Sequence, residues 1–186
     1  MFHITDLSPT DHALVEQTAE VLMAAFRGLT DTWATIDLAR EEVAESFDAD
    51  RISRVALDDA GRVVGWIGGI SEYGGNAWEL HPLAVHPDAQ GRGVGRALVD
   101  DLEAQVLQRG GATIYLFTDD ETCRTSLGGV DLYPDPWQHI NRISNHDNHP
   151  YGFYLRCGFV ITGVIPDASG PGKPDILMAR RVMRAG

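Results

Sequence analysis

Two hydrophobic periodicities stand next to each other near the middle of this chain, and each predicts a different element. From Trp78 to Val85, apolar residues alternate with other residues, which is the pattern of a half-buried strand. Beyond a short glycine-rich stretch, apolar residues recur at every fourth position, which is typical of an amphipathic helix: Val94, Leu98, Leu102, Val106. The pattern therefore predicts a strand, a glycine loop and the start of a helix in succession.

The rest of the chain also reads as alternating strands and helices. Predicted strands cover 2–5, 51–57, 62–70, 76–85, 113–118, 159–165 and 176–182. One helix is predicted to begin after the capping stretch 8–11, and three others are predicted to cover 33–47, 94–109 and 151–157. Asp58-Asp59-Ala60-Gly61 is typical of a hairpin turn. Turn-forming residues crowd 119–150, where we expect only short helices within a functional or mobile loop.

The two helices that precede the glycine loop also have a predicted apolar face. In the first, the face comprises Leu14, Val15, Leu22, Ala25 and Phe26. In the second, Leu38, Val43 and Phe47 are core candidates, while Glu41, Glu42 and Glu45 are expected to face solvent. A hairpin-rich antiparallel half followed by alternating strands and helices predicts an α+β fold in one domain spanning 1–186.

Composition excludes several classes of partner. With 186 residues, 44% of them hydrophobic, the chain can form a core. Its net charge of −12 disfavours nucleic acid and anionic membranes as partners. The same charge either attracts a cationic ligand or serves only to keep the protein soluble. No apolar run reaches the length of a membrane span, and Met1–Asp6 does not look like the start of a signal peptide. Only two cysteines are present, so we expect a cytoplasmic protein with reduced thiols.

The glycine loop predicts an anion site. Its glycines let a bulky phosphate approach the backbone, and the N-terminus of the following helix attracts negative charge. The spacing Gly91-x-Gly93-x-Gly95 is neither the dinucleotide fingerprint nor a P-loop. It does match Gln/Arg-x-x-Gly-x-Gly/Ala, and it follows a strand that ends in Val85-His86-Pro87. In this setting it resembles the pyrophosphate-binding loop of the GNAT acetyltransferase superfamily.

Further segments narrow the resemblance. The segment from Tyr151 to Phe159 is similar to the Phe-Tyr-x-x-x-Gly-Phe segment of that superfamily. Several other stretches resemble the aminoglycoside 6'-N-acetyltransferases: Tyr73-Gly74, Trp78–Leu83, Tyr115–Glu121, Asn148–Tyr151, Gly163–Ala168 and Gly172–Ile176. The resemblance implies a GNAT-like fold, a twisted and mostly antiparallel sheet with helices on both faces.

The resemblance also implies acetyl-CoA as co-substrate and assigns residues to its use. Pantetheine and pyrophosphate would be held by Leu83, Ala84, Val85, Gln90, Gly91, Arg92, Gly93, Val94, Gly95 and Arg96. The backbone N–H of Leu83 would polarise the thioester carbonyl, and no covalent enzyme intermediate is required. Tyr154 would lie near the sulfur, where a phenol of pKa about 10 can protonate a thiolate whose thiol has a pKa of about 8.5. A packing role for Tyr154 remains open.

Acylation of an amine also requires a base, because an ammonium has no lone pair. The family places a carboxylate at the position of Glu79 for this work. His81 lies two residues further along the same strand, and hence on the same face. It is either a second base, an anchor for the substrate, or a packing residue.

The acceptor-binding residues also come from the resemblance. Asp119 is favoured as the residue that faces the amine, and Trp33 and Tyr73 are candidates for flat surfaces beneath sugar rings. For each, packing in the core or at the rim is the alternative. Asp135 lies where relatives carry substrate contacts, although the surrounding Tyr133-Pro134-Asp135-Pro136 differs from them.

The resemblance thus implies transfer of an acetyl group to the 6'-amine of aminoglycoside antibiotics, an activity that would confer resistance. A homodimer is expected from the resemblance alone. The spacing of His139, His146 and His149 closes no zinc pattern, so no metal is expected. Two alternatives stay open: an acetyltransferase for a polyamine, peptide or lysine amine, and a non-catalytic acyl-CoA-binding protein. The presence of Glu79 and Tyr154 favours an enzyme.

Overall fold

The structure, a computed structural model, describes residues 1–182 and divides the chain into two compact units, Met1–Ile114 with Val182, and Tyr115–Arg181. Seven strands lie within the described residues: β1 (Phe2–Asp6), β2 (Arg51–Asp58), β3 (Val63–Glu72), β4 (Ala77–Val85), β5 (Thr113–Asp119), β6 (Val160–Ile165) and β7 (Asp175–Arg181). The helices are α1 (His12–Phe26), α2 (Ile36–Glu45), α3 (Val94–Gln108), α4 (Pro136–Asn141) and α5 (Tyr151–Arg156). The predicted α+β class is confirmed.

The first unit is built on an antiparallel meander. β1 pairs with β2, β2 with β3 and β3 with β4. Successive residues of β3 point to opposite faces of this sheet. Trp66 packs on one face with α1 and α2, in a core that includes Leu22 and Val43. On the other face, α3 packs close to β3 because Gly65 and Gly69 leave room for Val94, Leu98 and Leu102.

Local signals in the sequence set the helix ends. Asp11 caps α1 by accepting a hydrogen bond from the backbone N–H of Leu14, and Thr35 caps α2 by accepting one from Leu38. The second helix is therefore shorter than the predicted 33–47, and Trp33 precedes it. Two further expectations for α2 are wrong. Leu38 is exposed, and the Glu42 side chain is only 15% exposed, because it faces β4 of the same unit.

The second unit contains a strand arrangement β5-β7-β6, in which β6 and β7 are antiparallel. α4 contacts β6 and α5 contacts β7. Between β5 and α5 the chain forms mostly turns, as its Gly, Pro and Asn content predicts. Cys157 is buried, as expected of a small core residue.

Candidate active site

β4 presents three of the predicted site residues at alternate positions. Glu79, His81 and Leu83 are half-buried, whereas the residues between them are buried. Opposite them the pairing with β3 is irregular, because Ile67 pairs with Leu83 but Gly69 pairs with Leu80. Two residues of β4, His81 and Pro82, therefore lie opposite Gly68 alone, which is a β-bulge.

Gly68 is required at this bulge by close approach. A Cβ atom built on it would lie 2.2 Å from the carbonyl oxygen of His81 and 3.0 Å from its carbonyl carbon. Both are backbone atoms, which cannot rotate away as a side chain can. The bulge that carries His81 is thus accommodated by the missing side chain of its neighbour on β3.

The His81 imidazole faces a carboxylate from α2. Its Nε2 atom lies 3.6 Å from Glu42 Oε1, an ion pair when the ring is protonated. The other Glu42 oxygen, Oε2, accepts a hydrogen bond from Trp33 Nε1 at 3.2 Å. The Trp33 and His81 rings lie 5.9 Å apart between centroids. Trp33, Glu42 and His81 form one cluster, here called the α2–β4 cluster.

Charge in the α2–β4 cluster stabilises the imidazolium. Burial by itself lowers the pKa of His81, but the carboxylates of Glu42 and Glu79 outweigh burial and the opposing charge of Arg51. The pKa of His81 is therefore raised above its usual 6.5. Burial would raise the pKa of Glu42, yet His81, with help from Trp33 and Arg51, lowers it overall. The two shifts agree in favouring the charged pair.

The two aromatic candidates for substrate contact differ in exposure. Trp33 is 8% exposed and packs edge-on against Phe26 at 4.6 Å between centroids, which favours the packing alternative. Tyr73 is 77% exposed in a short 3₁₀ turn, Tyr73–Gly75, and leaves its ring open to a ligand. Its role as a sugar-binding surface remains a prediction.

The glycine loop precedes α3 as expected. Gly91 and Gly93 have φ angles of 71° and 86°, in the left-handed region that other residues rarely adopt. Gly93 is the N-cap of α3, where no side chain caps the helix and no acidic residue lies in the first turn. Gln90 Nε2 donates to the carbonyl oxygen of Val85 at 3.2 Å, tying the loop to the end of β4. The backbone N–H groups of the loop and of the first turn of α3 are therefore not occupied by a capping side chain, and such groups suit a pyrophosphate.

In the second unit, the neighbouring acids Asp119 and Asp120, at the end of β5, have different environments. Asp119 is exposed, and its Oδ1 accepts a hydrogen bond from Ser169 at 3.3 Å. Asp120 is fully buried and accepts hydrogen bonds from the backbone N–H groups of Arg124 and Thr125 and from the Thr125 hydroxyl. Asp120 therefore holds the following turn, whereas the contact of the exposed Asp119 with an amine remains a prediction.

Asp135 and Tyr154 also lie in this unit. The Asp135 carboxylate caps α4 by accepting from the Gln138 N–H at 3.0 Å, so its proposed substrate contact would compete with a structural role. Tyr154 is half-buried on α5, where desolvation, and then the nearby Cys157, raise the pKa of its phenol. The phenol consequently keeps its proton at neutral pH.

The contacts of two residues, Glu42 and His149, are not predicted from the sequence. Glu42 was expected to face solvent because helical periodicity shows which residues share a face, not what that face meets. The sequence presents His149 only as a candidate metal ligand, in a spacing that closes no zinc pattern. His149 is buried, and its ring makes hydrogen bonds to the backbone carbonyl of Asp119 and the backbone N–H of Tyr151. Within 1–182, no group of three His, Cys, Asp or Glu residues is arranged to hold a metal ion. No described helix is long and apolar enough to cross a membrane.

Comparisons with known proteins agree with the resemblance seen in the motifs. The acetyltransferase (GNAT) family model matches residues 15–126. An acetyltransferase of Pectobacterium atrosepticum is 28% identical over 102 residues, which cover 52% of this chain and 71% of that protein. The crystal structure of an aminoglycoside 6'-N-acetyltransferase complexed with coenzyme A is 37% identical, covers 99% of both chains and has a TM-score of 0.89.

A second crystal structure, of the aminoglycoside 6'-N-acetyltransferase from Enterococcus faecium, is likewise 37% identical over 99% of both chains, with a TM-score of 0.88. The predicted GNAT-like fold is confirmed. The chain belongs to the GNAT family of acetyltransferases.

Proposed function

We propose that this protein transfers the acetyl group of acetyl-CoA to the 6'-amine of aminoglycoside antibiotics and thereby confers resistance. The observation that carries the proposal is the 37% identity over 99% of both chains to aminoglycoside 6'-N-acetyltransferases. The net charge of −12 supports a polycationic acceptor, because acidic surfaces attract and orient cations.

Residues of the glycine loop and of β4 would bind acetyl-CoA. The backbone N–H groups of Gly91–Arg96 would hold the pyrophosphate at the N-terminus of α3, while Leu83, Ala84 and Val85 would hold the pantetheine. The Leu83 N–H would polarise the thioester carbonyl. We also infer that catalysis needs no metal ion, since direct attack by an amine on a thioester requires only proton transfers.

The proposed reaction requires two protons to leave the acceptor nitrogen. The ammonium first loses one proton to a base on β4, with Glu79 the principal candidate and His81 beside it. The free amine attacks the carbonyl carbon, the C–N bond forms, and the C–S bond breaks. The second proton leaves the nitrogen to water as the amide forms, the departing thiolate takes a proton from Tyr154, and water returns a proton to the phenolate. Asp119 and Tyr73 would bind the antibiotic.

An acetyl-transfer assay with a matched panel of amines tests this proposal. Thiol release from acetyl-CoA would be measured with kanamycin-type drugs carrying a 6'-amine, their 6'-hydroxyl counterparts, polyamines and peptides. We expect turnover only with the 6'-amines, a product acetylated at that nitrogen, and a matching rise in the inhibitory concentration when the protein is expressed. Efficient turnover of peptides alone would favour another GNAT substrate. Binding of acetyl-CoA without any turnover would favour an acyl-CoA-binding protein.

We further propose that the protein is a cytoplasmic homodimer. The edge strand β6 supports association, because it carries no charged residue, and Val160 and Ile165 are 60% and 47% exposed. Cys123 and Cys157 are free thiols, in keeping with a reducing compartment. Light scattering coupled to gel filtration should report twice the chain mass of 20.3 kDa, and a monomer across the working concentration range would contradict the dimer.

A further inference from the structure

The α2–β4 cluster has the composition of a proton-accepting site. An imidazole that acts as a base works best when a carboxylate orients its ring and stabilises the imidazolium that forms. Glu42 Oε1 occupies that position at 3.6 Å from His81 Nε2. The ring is half-buried, and it lies on the same strand as the proposed base Glu79.

The carboxylate is itself held in place. Trp33 Nε1 donates to Glu42 Oε2, so the carboxylate cannot rotate without losing a hydrogen bond. Trp33 is fixed in turn by burial and by its edge contact with Phe26. The Glu42 side chain is only 15% exposed, which limits screening of its charge by water.

We propose that Glu42 is a positioning residue for His81, and that the pair forms a carboxylate–imidazole dyad in which His81, rather than Glu79, accepts the proton lost by the acceptor ammonium. The inference rests on the proposed acetyl transfer to an amine. In the balanced step, the R–NH₃⁺ group loses a proton to the neutral imidazole, directly or through water. The products are R–NH₂ and an imidazolium paired with the Glu42 carboxylate.

The charged groups that surround His81 decide the expected pH dependence. Glu42 on α2 and Glu79 on β4 favour the imidazolium, and Arg51 on β2 opposes it. Removing the Glu42 charge therefore lowers the pKa of His81 and makes it a weaker base. A structural role for Glu42 alone would reduce activity equally at all pH values.

NMR titration of His81 in the free protein is the first experiment. Its resonance, assigned through His81→Asn, would be followed in the wild type, Glu42→Gln, Trp33→Phe and the control Glu41→Gln, whose exposed carboxyl lies one residue away. We expect the pKa of His81 to fall by about one unit in Glu42→Gln. A smaller fall is expected in Trp33→Phe and no change in Glu41→Gln. An unchanged His81 pKa in Glu42→Gln overturns the dyad. No acceptor is needed, so this result does not depend on the proposed substrate.

The pH profile of kcat/KM is the second experiment, measured with whichever amine of the panel is turned over. The acidic limb should follow the pKa of His81, moving to lower pH in Glu42→Gln as the plateau falls by about tenfold. If the NMR pKa of His81 falls in Glu42→Gln while the acidic limb of the kcat/KM profile stays at the same pH, His81 does not accept the proton. If no aminoglycoside is turned over, but the acidic limb measured with another amine still moves to lower pH in Glu42→Gln, the proposed substrate is rejected and the dyad is retained.

Discussion

The buried ring of His149 joins the end of β5 to the start of α5 through its hydrogen bond to Asp119. Its Nε2 atom lies 2.8 Å from the Asp119 carbonyl oxygen, which can only accept, so Nε2 carries the proton. The Nδ1 atom accepts from the Tyr151 N–H at 3.2 Å. The bond at Nδ1 requires the neutral ring, because an imidazolium has no lone pair with which to accept. Desolvation lowers the pKa of His149 and outweighs the neighbouring carbonyl and carboxylates that would raise it.

Loss of these bonds should destabilise the protein in a pH-dependent way. His149→Phe keeps a ring but removes the hydrogen-bond partner of the Asp119 carbonyl and of the buried Tyr151 N–H, at a cost of about 2 kcal/mol. Because folding lowers the pKa of His149, its contribution is present above about pH 6.5 and declines as the pH falls below that value. Urea unfolding of the wild type and variant across pH 5–8 measures the difference.

The comparison with wild type isolates His149. The raised pKa of His81 stabilises the fold below about pH 6.5 and is lost as the pH rises through its folded value, but it acts in both proteins and cancels. The control His12→Phe alters an exposed residue and should preserve the wild-type pH dependence. A difference between wild type and His149→Phe that does not vary with pH would contradict the neutral ring.

The bulge opposite Gly68 should not tolerate a methyl group. Gly68→Ala would press Cβ against the His81 backbone, where it has 2.2 Å of space. We expect a loss of more than about 2 kcal/mol in unfolding free energy. The rate of acetyl transfer should also fall, and by more than in the control variant. Gly163→Ala on β6 is the matched control, because its nearest atoms would be 3.8 Å away. Equal stability of the two variants would show that β4 can shift freely.

Substitution of the neighbouring acids Asp119 and Asp120 should affect different properties, substrate binding for the first and stability for the second. Asp119→Asn removes an exposed charge and should raise KM for a polycationic acceptor several-fold, with little change in KM for acetyl-CoA or in stability. Asp120→Asn weakens three buried hydrogen bonds and should cost about 1–3 kcal/mol of stability. Steady-state kinetics and thermal unfolding of both variants separate the roles. Wild-type kinetics in Asp119→Asn would remove it from the acceptor site.

Tyr154 should affect turnover rather than binding. A phenol with a raised pKa gives its proton to a thiolate of lower basicity only against an unfavourable equilibrium, so its contribution is modest. We expect Tyr154→Phe to lower kcat by about tenfold and to leave KM for the acceptor near the wild-type value. Tyr133→Phe, at a side chain that is 68% exposed, is the control. A change in KM alone would indicate a binding or packing role.

Local patterns determined much of this fold. The spacing of Val94 and Leu98 predicted α3, and alternation placed Glu79, His81 and Leu83 together on β4. Such predictions succeed because periodicity follows directly from backbone geometry, which neighbouring residues share. The resemblance of the glycine loop to known motifs then indicated the family before any contact was known.

Tertiary contacts decided what the local pattern leaves open. Glu42 and His81 are far apart in sequence, and nothing in the helical period of α2 shows that Glu42 faces β4. His149 reaches Asp119 across 30 positions, so no local spacing reveals that its ring is a buried hydrogen-bond bridge. The sequence by itself determined which elements form and which chemistry they carry. The packing of those elements decided which carboxylates are charged partners, which are structural caps and which remain exposed, because burial and electrostatic partners depend on distance in space.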